Sequence, residues 1–322
     1  MVLSFVGILF LDLIGIARVQ ELEVPVRIKE VLSIGSLEDD TLFQWVGITT
    51  DETDFIYLTD ALDYSLKKFD VDGRMTVKQG RKGQGPGEFL APRLLQYHKG
   101  LLYVTDQSRP GIQLFDRDLK YRGRIPVLFP ISSFDVLDKK RIAVVRLEMK
   151  TGCRITIIDD KGEEQRSFGF QTKESPFLLD LVDLVSDGKG GFFLVYIFRD
   201  RILHVDKDGT ALWERSLLGV KKVKQKKMSE ITLPTEVVFK DIAIDSRGRI
   251  YILGGHFSIN QSRDVYVLDG EKGHLLTTFV LPDTSHCIHL DDKDYLYSRA
   301  NDGVTLKKYE LVFSKKNLQG KQ

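Results

Sequence analysis

An all-β repeat fold is what this sequence predicts, and three recurring phrases predict it. The first places Asp, Asp and Gly at identical offsets in Asp241-Ile242-Ala243-Ile244-Asp245-Ser246-Arg247-Gly248 and in Asp183-Leu184-Val185-Ser186-Asp187-Gly188-Lys189-Gly190. The second is an apolar run ending in an acid, Ile56-Tyr57-Leu58-Thr59-Asp60 and Leu102-Tyr103-Val104-Thr105-Asp106. The third closes an apolar strand on a tight turn: Phe69-Asp70-Val71-Asp72-Gly73, Phe115-Asp116-Arg117-Asp118, Ile158-Asp159-Asp160-Lys161-Gly162, Val205-Asp206-Lys207-Asp208-Gly209 and a shorter Leu268-Asp269-Gly270. Gly tolerates positive φ and Asp caps its own backbone, so these are hairpin turns. A period of about 40 to 60 residues made of short strands and tight turns is that of a β-propeller.

Each repeat reads as strand A, turn, strand B, loop, strand C, Asp-Gly turn, strand D. Six blades are expected, at 44–79, 93–125, 133–168, 181–215, 240–280 and 286–312. The sixth has no clear D strand after Tyr309-Glu310-Leu311. The alternating segment 26–35 supplies one from the N-terminal side and closes the ring, which removes exposed sheet edges. The length leaves no room for a seventh blade, so 18–322 is expected to be a single domain.

The bulk composition agrees. Nineteen Phe and eleven Tyr against four Met favour strands over helices. Lys+Arg 47 against Asp+Glu 46 gives a net charge of +1, so no global field draws the chain to nucleic acid or membrane. Cys153 and Cys287 fall in blades three and six, on opposite sides of the ring, and no disulfide is expected between them. Met1 to Ala17 is apolar apart from Ser4 and Asp12, and Gly15-Ile16-Ala17 offers small residues to a signal peptidase. The expectation is a signal peptide over 1–17 and export to the periplasm or the extracellular space. A chain that keeps its N-terminus would instead be cytoplasmic. The apolar run is shorter than the roughly 20 residues that span a bilayer, so no membrane span is expected in the mature chain.

The segment Gly80-Arg81-Lys82-Gly83-Gln84-Gly85-Pro86-Gly87-Glu88-Phe89, with Pro92, resembles the link between blades in NHL-repeat proteins and related bacterial six-bladed propellers. The Ile-Tyr-x-Thr-Asp and Phe-Asp-x-Asp-Gly phrases match the same repeat. The resemblance covers about residues 26 to 312 and is clearest over 44 to 125. Blade three departs from it, with Arg141-Ile142-Ala143 where an aromatic is expected. It implies a fold rather than an activity, because its residues serve turns and packing. The family holds binding domains, periplasmic proteins, and some metal-dependent lactonases and lyases.

Strand alternation sends every D-to-A and B-to-C connection to one face. That face carries the long segments 80–92, 169–180, 216–239 and 254–263, where binding residues usually sit. Three groups of candidates follow. Lys221-Lys222-Val223-Lys224-Gln225-Lys226-Lys227 holds five lysines and is either a polyanion clamp, with Lys221, Lys222 and Lys224 as ligand contacts, or a solvated loop. No aromatic interleaves them for base stacking, so nucleic acid is not expected as a partner. Asp183 and Asp241 occupy equivalent inner-strand positions, Asp135 lies near their level, and Arg93 stands on blade two. Such carboxylates could hold Ca²⁺, or else cap their strands or pair with Arg93. Lactonase-like relatives use a Glu, Asn and Asp set, which Gly47, Arg93 and Cys287 do not reproduce. Cys287 and His289 share a strand face and could supply half a zinc site, with Asp183 and Asp241 as other metal candidates.

The expected function is therefore a non-catalytic binding module, monomeric and without a cofactor, that recognises a peptide, glycan or protein on the long-loop face. The alternative is a metal-dependent hydrolase or lyase at the channel mouth, with Ca²⁺ as its cofactor and Arg93 holding a substrate carboxylate or oxyanion. No complete catalytic set is visible, which places binding first.

Overall fold

A computed structural model of the chain describes residues 25–148, 152–169, 177–228, 231–257 and 259–314. The expected signal peptide over 1–17 lies outside them. Strand β1 (Val26–Ile34) comes first. Blade one is β2–β5 (Trp45–Thr50, Ile56–Asp60, Ser65–Phe69, Met75–Gln79) and blade two is β6–β9 (Pro92–His98, Leu101–Asp106, Arg109–Asp116, Tyr121–Ile125). Blade three is β10–β13 (Ser133–Asp138, Arg141–Glu148, Gly152–Ile158, Glu164–Gly169). A short 3₁₀ turn, Phe177–Asp180, precedes blade four, β14–β17 (Val182–Ser186, Phe192–Tyr196, Ile202–Val205, Ala211–Arg215). A hairpin of β18 (Gln225–Met228) and β19 (Ile231–Pro234) comes next. Blade five is β20–β23 (Phe239–Ile244, Arg249–Gly254, Asp264–Asp269, Leu275–Val280), and β24–β26 (Ile288–Leu290, Leu296–Arg299, Leu306–Phe313) begin blade six.

All six blades are four-stranded and antiparallel, and the sixth is completed by β1. Val26 faces Phe313 and Ile34 faces Leu306 across that closing pair. The expected six-bladed propeller, closed by the N-terminal strand, is the fold of this chain. No helix among the described residues is long and apolar enough to cross a membrane.

The apolar content is distributed as six cores, one between each pair of neighbouring blades. Tyr57 and Leu66 of blade one meet Leu95 and Leu102 of blade two. On the other flank of blade one, where the ring closes, Tyr297 and Leu306 of blade six meet Trp45 and Ile48. A middle strand is buried on both faces by its two neighbours, which is why β3 and β15 read as unbroken buried runs rather than alternating ones. The missing aromatic of blade three is accommodated in the same way: Ala143 is fully buried in the core shared with blade four.

The recurring aspartates hold the turns. At the C-to-D turns, Asp70 accepts the backbone N–H groups of Asp72 and Arg74, and Asp206 those of Asp208 and Thr210. The acid that ends strand B works differently. Asp60 accepts from the N–H groups of Phe43 and Gln44, and Asp106 from those of Leu90 and Ala91, so each fixes the segment entering its own blade. Lys67, 1% exposed, completes the first of these by pairing with Asp60 at 2.9 Å and Asp63 at 2.8 Å.

The link resembling the NHL pattern has a physical basis of the same kind. Glu88 accepts from the Gly85 N–H at 2.8 Å and pairs with Arg81, while Phe89 is fully buried against Phe115. Truncating Phe89 to Ala would cost roughly 3–5 kcal/mol by the usual cavity cost.

Candidate functional site

The inner strands β2, β6, β10, β14, β20 and β24 surround a central channel with a cavity of about 380 Å³. Close approach of these strands constrains blade one: a Cβ on Gly47 would stand 2.1 Å from the Arg93 carbonyl oxygen. That carbonyl accepts from the Thr59 hydroxyl, which itself accepts from the Gly47 N–H.

Three of the predicted site residues converge on the channel wall. Asp135 accepts from the Ser186 N–H at 2.7 Å, crossing from blade three to blade four. Asp241 accepts from its neighbour Ile242 N–H at 2.9 Å and from the Ile288 N–H at 2.7 Å, crossing from blade five to blade six. Asp183 accepts from the Leu184 N–H at 2.9 Å and from the Ser133 hydroxyl of blade three, and it shares a hydrogen bond with Asp241 of blade five. The acids thus form a bonded belt from blade three to blade six. Asp135 is not at the level of Asp183. It sits deeper, against Ser186, and Ser133 takes the level at which the sequence suggested Asp135.

Burial raises all three carboxyl pKa values, since the surrounding protein replaces the water that would solvate the charge. Asp241 is raised well above the usual range, by burial and then by the charge of Asp183. Asp183 is raised less, because the bond from Asp241 and the Arg93 charge favour its ionised form. A hydrogen bond between two carboxyls needs one proton, so the two share it.

This belt does not make a metal site. Among the described residues no three His, Cys, Asp or Glu side chains converge as ligands would. A Ca²⁺ ion needs six to eight oxygens, mostly ionised or carbonyl. Here two oxygens of Asp241 are committed to backbone N–H groups, and the pair holds a proton. Cys287 and His289 do not complete a zinc set either. The Cys287 thiol is pushed up to about 12 by burial, and the His289 Nε2 meets the Thr50 hydroxyl at 2.9 Å. The donor set fits neither ion.

Arg93 stands exposed at the channel mouth and makes no ion pair among the described residues, acting on Asp183 through space. The lysine run is not a bare loop. Buried Val223 anchors it to the core between blades four and five, and Gln225 to Met228 pair as β18 with β19. Lys221 and Lys222 remain exposed, and Lys224 pairs with Glu236 at 2.9 Å.

Sequence reasoning missed a second group at the mouth. Lys240 and His286 immediately precede Asp241 and Cys287, and the Lys240 Nζ lies 3.4 Å from the His286 Nδ1. Arg299 ends strand β25 nearby. A signal was available: where blade one has Tyr57-Leu58-Thr59-Asp60, blade six has Tyr297-Ser298-Arg299-Ala300, a cation in place of Thr and no acid after it.

The fold and the site together define the class: a six-bladed β-propeller with a narrow, acid-lined channel and a basic mouth. Solved structures similar to this chain are propellers of differing roles. The WD40 β-propeller domain of Doa1 shares 12% identity at TM-score 0.56, over 84% of this chain and 78% of that one. A Bacteroides thetaiotaomicron protein of unknown function shares 12% at TM-score 0.59, over 90% and 77%. Virginiamycin B lyase from Staphylococcus aureus shares 12% at TM-score 0.56, over 89% and 100%. No family model and no curated protein matches the sequence. At such identities the likeness is one of fold.

Proposed function

We propose that this propeller is an exported, NHL-like binding module that holds a peptide or protein on the face carrying the D-to-A and B-to-C connections. The observation that carries the reading is where large apolar side chains are exposed. Leu37, Phe43, Leu62, Leu128 and Ile259 all lie in connections on that face, with Leu128 at 95% and Ile259 at 101% exposure. Among the connections of the opposite face, Val71 is the one such residue in the described chain. Apolar side chains held in water on a rigid frame are the usual anchors of a protein interface.

The test is selection from a displayed peptide library alongside a glycan array, using wild type, a Leu128→Ser/Ile259→Ser variant, and Leu212→Ser on an outer strand. Peptide binding that is lost in the double variant and kept in Leu212→Ser supports the proposal. Binding indifferent to the double variant, or binding to glycans instead, overturns it.

A hydrolase or lyase is the second reading, favoured by a proton-sharing carboxyl pair that opens on the channel. Turnover that disappears in Asp183→Ala would move it to first place.

A further inference from the structure

We infer that Lys240, His286 and Arg299 form an anion subsite at the mouth of the channel, between blades five and six, where an oxyanion of the ligand docks. The inference rests on the binding reading above, since it specifies what the same face recognises.

The geometry starts with Arg299. Its Nη1 donates to the Trp45 carbonyl of blade one at 2.6 Å, and its guanidinium lies 5.8 Å from the Trp45 ring centroid. Its backbone N–H is tied to the Ser285 hydroxyl, and its buried Nε has no acceptor. The guanidinium is thus positioned by neutral groups, and among the described residues no carboxylate pairs with it. Lys240 and His286 are in contact across the blade boundary, and His256 is close enough for its charge to bear on His286. Among the described residues, none of these four side chains makes an ion pair.

Lys240 and Arg299 repel each other with no ion-paired carboxylate on either among the described residues, and the protein shows the cost. Lys240 is lowered by burial first and then by Arg299. His286 is pushed down to about 4 by desolvation, followed by the charges of Lys240, Arg299 and His256. Asp241, next in the chain to Lys240, is itself raised well above the usual range by burial and then by Asp183, which weakens it as a counter-charge. An incoming carboxylate or phosphate would relieve this repulsion and accept hydrogen bonds from three donors, a charge-assisted contact of the strong kind. The exposed lysines of the β18–β19 hairpin lie in the connection leading to Lys240 and add a favourable field for an anion.

The test is labelling of Lys240 by an acylating reagent in the folded chain, read by peptide mass spectrometry. It is run in acetate, inorganic phosphate or chloride at constant ionic strength. An anion that raises the Lys240 pKa by about one unit reduces free amine, and labelling, about tenfold. Protection at Lys240, with Lys293 unaffected and with protection abolished in Arg299→Gln, is the expected result. Protection by acetate assigns a carboxylate, and protection by phosphate alone assigns a phosphate. Arg299→Gln is checked for an unchanged unfolding midpoint, and His286→Gln replaces it if that fails. Equal labelling in all three salts overturns the subsite and leaves peptide binding by the apolar loops to stand on its own test.

Discussion

The two ends of one inner strand treat the same residue in opposite ways. On β14, Asp183 sits at the channel mouth and Asp187 four residues on, at the A-to-B turn; on β20 the pair is Asp241 and Asp245. Asp187 accepts from the N–H groups of Lys189 and Gly191 at 2.7 and 2.8 Å and from the His204 ring at 2.9 Å. Burial works against its ionised form, but these donors outweigh burial and hold its pKa below the usual value. Asp183 and Asp241 are more deeply enclosed and face each other, and both are raised. Depth of burial and a neighbouring carboxyl therefore set the channel acids apart: Asp183 has three donors, as many as Asp187, and is still raised. The turn end is built to keep its charge and the channel end to share a proton.

The sharpest way to break that contrast is at the turn end. Asp245 accepts from the Arg247 and Arg249 N–H groups, the Arg249 side chain and the buried Tyr251 hydroxyl. Asp245→Ala leaves those donors unpaired, one of them fully buried, and is expected to cost about 3 kcal/mol in denaturant unfolding. A loss below about 1 kcal/mol would mean that the turn aspartates are solvated ornaments rather than supports.

How much of this was legible follows from what each residue does locally. The turn aspartates bond to N–H groups two and four residues on, so their spacing is written in the chain and the blades could be counted from it. Closure by 26–35 was legible too, because a strand's alternation survives when its partner is distant. The pairing of Asp183 with Asp241 was visible only as equivalence of position; that the two share a hydrogen bond depends on the width of the channel. Arg299 was overlooked because it replaces a motif residue rather than repeating one. The hairpin within the lysine run was hidden since charge dominates its composition, and its anchor is a single Val223.

His289 sharpens the comparison from the base side. It lies on an inner strand, and burial pushes it down to about 4, with Asp291 opposing the shift. Its unfolded value is about 6.5, so the folded chain resists protonation. Stability is intact above that value and declines as the pH falls from about 6.5 towards 4. His289→Gln keeps a partner for the Thr50 hydroxyl and removes the titration. The expected result is about 2 kcal/mol less acid destabilisation between pH 7 and 4 than in wild type. An identical pH profile would show that His289 binds its proton equally well in the folded and the unfolded chain.

Asp183→Asn tests the channel end, with the opposite sign and the smallest effect. For a carboxyl raised above its unfolded value, the stabilising state is the protonated one. The contribution is full below about pH 4 and is lost as the pH rises through the folded value. In the variant, the amide oxygen still accepts from the Ser133 hydroxyl and the Leu184 N–H, and the amide nitrogen can donate to Asp241. No proton needs to be shared, so the penalty at high pH disappears. Asp183→Asn is expected to match wild type near pH 4 and to exceed it by about 1 kcal/mol near pH 8 in paired unfolding curves. A variant less stable than wild type at pH 8 would mean that the ionised Asp183 is itself a support, held by Arg93 across the mouth. The belt would then resemble the turn end, and the contrast between the two ends of the strand would fail.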